Sequence, residues 1–211
     1  MSNSVVRKPW GREYRCYKNA SLAIWALHMR EGRATSLHCH PGKNTAFVLL
    51  RGELDLELLR GPRLSFKALD KINVFRGRFH RLRAMTDAVL LEVEAPDDKR
   101  DIVRLEDDHG RAGDQLEQPS EPLSISDLLI SGNAAGGFFA DCWWSILRPE
   151  SMEDLIQVAT EDAIFVTLSG SLERGLVPPG DAIDGLSMVR LASAFGVAPR
   201  SSFLRISKET P

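Results

Sequence analysis

The stretch Thr35-Ser36-Leu37-His38-Cys39-His40-Pro41, followed forty residues on by Gly77-Arg78-Phe79-His80, decides how this chain is read. His38 and His40 stand at i and i+2, and in a β-strand that spacing places both side chains on one face. Cys39 then points the opposite way and is expected to be a packed thiol. A third imidazole on a neighbouring strand, His80, completes a cradle of neutral nitrogens for a divalent transition metal (Zn, Fe, Ni or Mn). Such a cradle leaves coordination positions open for a substrate.

Outward from these motifs the chain breaks into short β-like segments punctuated by glycine. Ala20 to Arg30 alternates loosely and ends at Glu31-Gly32, and Ala46 to Leu50 is closed by Arg51-Gly52. Glu53-Leu54-Asp55-Leu56-Glu57-Leu58 alternates strictly, the pattern of a half-buried strand. Ile72 to Phe75 and Ala88 to Val93 follow. Many short strands with glycine turns point to an all-β barrel or sandwich. The polar, turn-rich segment 112–122 reads as a linker between a first domain, 1–111, and a second, 123–211. Ser126 to Ile130 is expected as a short helix and Gly132 to Gly137 as a loop.

The second half echoes the first. Trp25-Ala26-Leu27 matches Trp144-Ser145-Ile146, Phe47 to Leu54 matches Phe165 to Leu172, and Val89 to Val93 matches Ser202 to Ile206. A repeat of this size means two copies of one small fold. The positions of His38 and His40 fall in the second copy on Ile156 or Gln157 and on Val158 or Ala159, so that copy lacks the histidine site.

Among the 211 residues, a hydrophobic fraction of 43% and a charged fraction of 27% are those of a soluble globular chain. No apolar run reaches the length of a membrane span, the polar start is no signal peptide, and no membrane partner is expected. Three scattered cysteines, Cys16, Cys39 and Cys142, argue for a reducing cytoplasm. Residues 1–111 carry 21 Lys and Arg against 15 Asp and Glu, and residues 112–211 carry 6 against 14. A basic half holding all five histidines fits a small anionic substrate, or charge complementarity with the acidic half. A sequence pI near 6.2 argues against nucleic acid as a partner. A homodimer stays open.

With these residues in view, the chain resembles the cupin superfamily. Gly32, His38, His40 and Gly52 match its first motif, and Gly77-Arg78-Phe79-His80 its second, with Phe75 in place of proline. Within cupins, residues 5–111 resemble the C-terminal domain of type II phosphomannose isomerases. Arg7-Lys8-Pro9-Trp10-Gly11 is similar to that family's entry motif. Asp101-Ile102-Val103-Arg104-Leu105-Glu106-Asp107-Asp108-His109-Gly110-Arg111 is similar to its closing signature, with His109 for tyrosine. The resemblance implies a jelly-roll (double-stranded β-helix) barrel, a bicupin whose second barrel is degenerate, and a metal held by His38, His40 and His80. It implies substrate-phosphate contacts from Arg104 and Arg111, guanidinium forks suited to that task. The motif glutamate falls on Asn44 or Thr45, neither a strong ligand.

Other residues are weighed one by one. Arg78 shares the parity of His80 and is expected to reach an anionic ligand, whereas Arg81 and Arg83 face solvent. His28 is either an additional ligand or, more simply, a structural histidine. Glu57 belongs to a surface ladder with Glu53 and Asp55 unless the barrel interior is polar. Trp10, Trp25, Trp143 and Trp144 are expected to pack. Three functions follow: a sugar-phosphate isomerase, for which no general base is identifiable; a three-histidine iron dioxygenase; and a non-catalytic sugar-binding cupin.

Overall fold

The computed structural model describes residues 4–106, 121–131 and 135–209. His109, Arg111 and most of the expected linker lie outside these residues. The first half contributes β1 (Ser4–Lys8), β2 (Gly11–Lys18), β3 (Ala23–Met29), β4 (Leu37–Cys39), β5 (Asn44–Arg51) and β6 (Glu53–Leu58). It continues with β7 (Arg63–Lys67), β8 (Lys71–Val74), β9 (His80–Ala84), β10 (Ala88–Ala95) and β11 (Val103–Glu106). Glu121–Pro122 form β12, which pairs with β1, so the end of the expected linker is a sheet edge.

These strands make two antiparallel sheets. The first has the order β12-β1-β2-β3-β10-β5-β8 and the second β11-β4-β9-β6-β7. The two face each other across an apolar cluster that includes Leu27, Leu49, Leu56, Leu82 and Leu90. This is the all-β barrel expected from the short alternating strands.

The second half begins with β13 (Gly136–Phe139), where a loop was expected, and β14 (Cys142–Leu147). After them come α1 (Met152–Ile156), β15 (Ile164–Ser169), β16 (Ala182–Asp184), α2 (Gly185–Phe195) and β17 (Ser202–Ser207). Its single sheet has the order β13-β14-β17-β15-β16. That order repeats β2-β3-β10-β5-β8 strand for strand, and the three segment pairs matched in sequence are β3 with β14, β5 with β15, and β10 with β17.

Among the described residues this copy has no opposing sheet, and helices stand in its place. Leu155 of α1 and Met188 and Ala192 of α2 cover Phe165 and Phe203 in a cluster of their own. Both helices have local causes. Ser151 and Asp154 form a reciprocal capping box at α1, and the Asp184 side chain accepts from the Ser187 N–H at α2. The equivalents of His38 and His40 therefore fall at the end of α1 and just beyond it. The expected helix over Ser126–Ile130 does not form. The Asp127 carboxylate turns back to the Ser124 N–H, while Leu128 and Ile130 anchor the segment in the core.

The two halves meet face to face. Ile24, Val48, Leu91 and Val93 of the first sheet and Ile146, Val166, Leu204 and Ile206 of the third belong to one buried cluster. The first sheet is thus covered on both faces, and its strands alternate between two destinations. In β10, Val89, Leu91 and Val93 enter the shared core, while Ala88 and Leu90 enter the barrel. Cutting Leu91, 1% exposed, back to alanine is expected to cost about 2–5 kcal/mol. Thermal unfolding followed by near- and far-ultraviolet circular dichroism should then show one transition at a lower temperature. Two separated transitions, only one of them shifted, would contradict a shared core.

Candidate metal centre

Strand β4 lies antiparallel to β9, and His38 is the direct cross-strand partner of His80. His40 follows just past the end of β4. The Gly77 N–H donates to the His40 carbonyl at 2.7 Å, tying the turn before His80 to the segment carrying His40. Gly77 has φ 75°, which glycine adopts without steric cost. Ring centroids lie 4.6 Å apart for His38 and His80, 5.0 Å for His38 and His40, and 5.6 Å for His40 and His80. Each of the three offers a ring nitrogen within 4.8 Å of the others.

Each ring is held by its Nδ1. His38 Nδ1 is 2.8 Å from the Ser36 carbonyl, His40 Nδ1 is 2.6 Å from the Asp101 carbonyl, and His80 Nδ1 is 2.9 Å from the Arg78 carbonyl. A carbonyl only accepts, so each Nδ1 carries the proton and each Nε2 keeps a lone pair. The Nε2 atoms of His40 and His80 are buried and have no hydrogen-bond partner among the described residues. Orphaned lone pairs converging on one point, with the outer nitrogens braced, are the donor set that a divalent transition metal takes up. The residues present fit a metal.

Two facing antiparallel sheets now carry a His-x-His pair on one strand and a third imidazole opposite it. The first half has the jelly-roll barrel architecture that the cupin resemblance implies. No family model and no curated protein matches the chain. Among solved structures, KdgF from Halomonas sp. is similar at 15% identity and a TM-score of 0.42, covering 44% of this chain and 86% of that one. An RmlC-like cupin from Shewanella frigidimarina NCIMB 400 is similar at 16% identity and a TM-score of 0.43, covering 46% and 87%. Streptomyces PAC13 with uridine is similar at 11% identity and a TM-score of 0.44, covering 50% and 86%.

Beside the imidazoles, the barrel opens into a cavity of about 280 Å³. Its walls are more highly charged than the sequence led one to expect. Glu92 and Glu94 of β10 project into it, and His40 offers a nitrogen within 4.8 Å of a carboxylate oxygen of each. Lys43 Nζ sits 2.6 Å from Glu94 Oε1, both side chains almost fully buried. Lys99 lies 3.5 Å from Glu13 and 3.7 Å from Glu94, with its ammonium 3.6 Å from the Trp25 ring centre. Trp10 and Trp25 supply apolar wall, and the indole N–H of Trp25 is buried without a partner among the described residues.

Burial, joined by the nearby Glu94 charge, lifts the Glu92 carboxyl to about 7. Glu92 makes no hydrogen bond or ion pair among the described residues. Glu94, by contrast, is committed to Lys43. The carboxylates therefore come from β10 rather than from the Asn44 or Thr45 positions. Asn44 Oδ1 accepts from the Arg76 N–H, and Thr45 Oγ1 is buried without a partner among the described residues.

Arg104 lies on β11 opposite His38 and lines the cavity, where its Nε is buried without a hydrogen-bond partner among the described residues. Arg78 does not reach it. Its side chain is exposed and borders a separate groove with Phe75, because the Gly77 turn swings it outward, and only its carbonyl serves the centre. Arg81 departs from its expected exposure: it is 7% exposed and lies 3.7 Å from Glu106. Arg83 and Arg63 pair with Glu57, which is partly exposed, while Asp55 of the expected surface ladder is buried and accepts from Ser65. His28 faces the opposite side of the first sheet from the metal centre, toward Tyr14 and Phe139.

Burial holds all three imidazoles below their ordinary 6.5, with His40 at about 3. Between pH 6.5 and 3 the unfolded chain binds the proton that folded His40 refuses. Stability from this group is thus complete above pH 6.5 and is lost as pH falls toward 3. In metal-free protein the urea midpoint should fall steadily through that window, and His40→Gln should flatten the fall. An unchanged pH profile in the variant would count against a buried neutral ring.

Proposed function

We propose that the chain is a metal-dependent enzyme acting on a small anionic carbohydrate, in the manner of a sugar-phosphate isomerase such as phosphomannose isomerase. The observation that carries this is Glu92, a buried carboxyl poised near neutrality with no hydrogen bond or ion pair among the described residues, in the same cavity as three convergent imidazoles. Aldose–ketose isomerisation needs one group that takes a proton from a carbon beside a carbonyl and returns it to the neighbour. A carboxyl titrating near 7 is suited to both halves of that transfer.

His38, His40 and His80 would hold the metal, which when bound supplies Lewis-acid polarisation of a substrate oxygen. Arg104 meets the anionic end of the substrate with its Nε–H, which has no partner among the described residues. Lys43 and Lys99 pair with Glu94 and Glu13, so Glu92 is left as the group that exchanges protons. Trp10 and Trp25 give the sugar ring an apolar wall and help exclude water. A cavity of about 280 Å³ is sized for a single sugar phosphate rather than a polymer.

The test pairs elemental analysis with turnover. His38→Ala and His80→Ala should each abolish stoichiometric metal. Glu92→Gln should retain the metal and lower kcat on aldose phosphates by about 10²–10⁴-fold. Full turnover in Glu92→Gln would remove the proposed base. Consumption of dioxygen by the ferrous protein, with no isomerisation, would replace this function with that of a three-histidine oxygenase. Tight sugar binding without any turnover would make the chain a sugar-binding cupin.

A further inference from the structure

The cross-strand registers set Arg12, His28, Val89 and Arg51 in one row across β2, β3, β10 and β5. Directly paired residues share a face of a sheet. Val89 belongs to the core between the two halves, so the whole row faces the third sheet and not the barrel. Elsewhere on this face the side chains are apolar, as Ile24, Val48 and Leu91 show. Three nitrogen-bearing side chains thus stand in line at the end of an apolar interface, with His28 against the Tyr14 and Phe139 rings.

This row floors a cleft of about 680 Å³ whose far wall carries Phe138, Phe139 and Trp144. The Nε2 of His28 is buried and has no hydrogen-bond partner among the described residues. Burial first, and the Arg12 and Arg51 charges after it, hold that ring neutral, at about 4. Arg12 spends one nitrogen on Asp127 at 2.9 Å, and a guanidinium has further N–H groups to offer. Arg51 is half-exposed and, among the described residues, its ion-pair partner is the distant carboxylate of Asp141 at 3.9 Å. Phe138 is 58% exposed beside them.

We propose that this cleft is a second ligand site, on the opposite face of the sheet from the metal centre, for a small anion with a planar aromatic body. Arg51, Arg12 and His28 receive the anionic group, and Phe138 and Phe139 receive the ring. Charge-assisted hydrogen bonds to guanidinium and an apolar seat for the ring are the recognition chemistry of a nucleoside monophosphate. The site does not depend on the sugar-phosphate proposal, because its residues share no side chain with the barrel cavity.

Isothermal titration of the metal-free full chain with adenosine monophosphate, adenosine and inorganic phosphate tests this. The nucleotide should bind once per chain, at least tenfold more tightly than either fragment. Arg51→Gln and Phe138→Ala, both at exposed positions, should each weaken it roughly tenfold or more. His38→Ala should leave its affinity unchanged. Three results would overturn the assignment: no saturable binding at millimolar nucleotide, equal affinity in Arg51→Gln and Phe138→Ala, or loss of binding in His38→Ala. Phosphate binding as tightly as the nucleotide would overturn it as well.

Discussion

Burial of one sheet on both faces is the constraint from which the rest of the molecule follows. A strand covered on one side needs a single apolar face, whereas the central strands β3, β10 and β5 must satisfy two. In β10 the odd positions, Val89, Leu91 and Val93, fasten the second half, and the even positions run from Ala88 and Leu90 to Glu92 and Glu94. Because the period is two, a slip of one residue would move both carboxylates into the apolar interface. Register and chemistry are therefore fixed by the same pattern. The second half covers the sheet and leaves the barrel interior free to be polar.

Within the barrel, polarity is organised by partners. Glu13 and Glu94 are tied to lysines, which makes their charges tolerable away from water. Glu92 has no such ion pair among the described residues, and burial, followed by the Glu94 charge, raises it. The three imidazoles are fixed by main-chain carbonyls instead of carboxylates. This holds the rings through the backbone at Ser36 just before β4, the turn before β9 and the segment at Asp101. The Asp101 side chain also accepts from the Gly42 N–H at 2.9 Å, closing the loop around His40 from both sides.

Much of this was legible in the sequence, for identifiable reasons. The i, i+2 spacing of His38 and His40 is a local property of any strand. The repeat was legible because its matched segments are the central strands, whose double burial forces similar apolar runs in both copies. Other features depend on partners distant in the chain. Nothing near Glu92 or Glu94 reveals that β10 pairs with β3 and β5, so a buried strand with two glutamates looked ordinary. Helices α1 and α2 were missed because one is a single turn and the other presents few buried positions. Their clearest local signals were the caps Ser151 and Asp184. Arg78 and His80 share parity only in a continuous strand, and the turn at Gly77 interrupts it. His28 was ambiguous because β3 has two buried faces.

The central claim is that three backbone carbonyls fix the protons on Nδ1 and leave three Nε2 lone pairs facing one point. Long-range ¹H–¹⁵N correlation spectra of the metal-free protein at neutral pH report each ring's tautomer directly. His38, His40 and His80 should all appear as neutral Nδ1–H imidazoles with unprotonated Nε2. An Nε2–H tautomer or an imidazolium at any of the three would contradict the account.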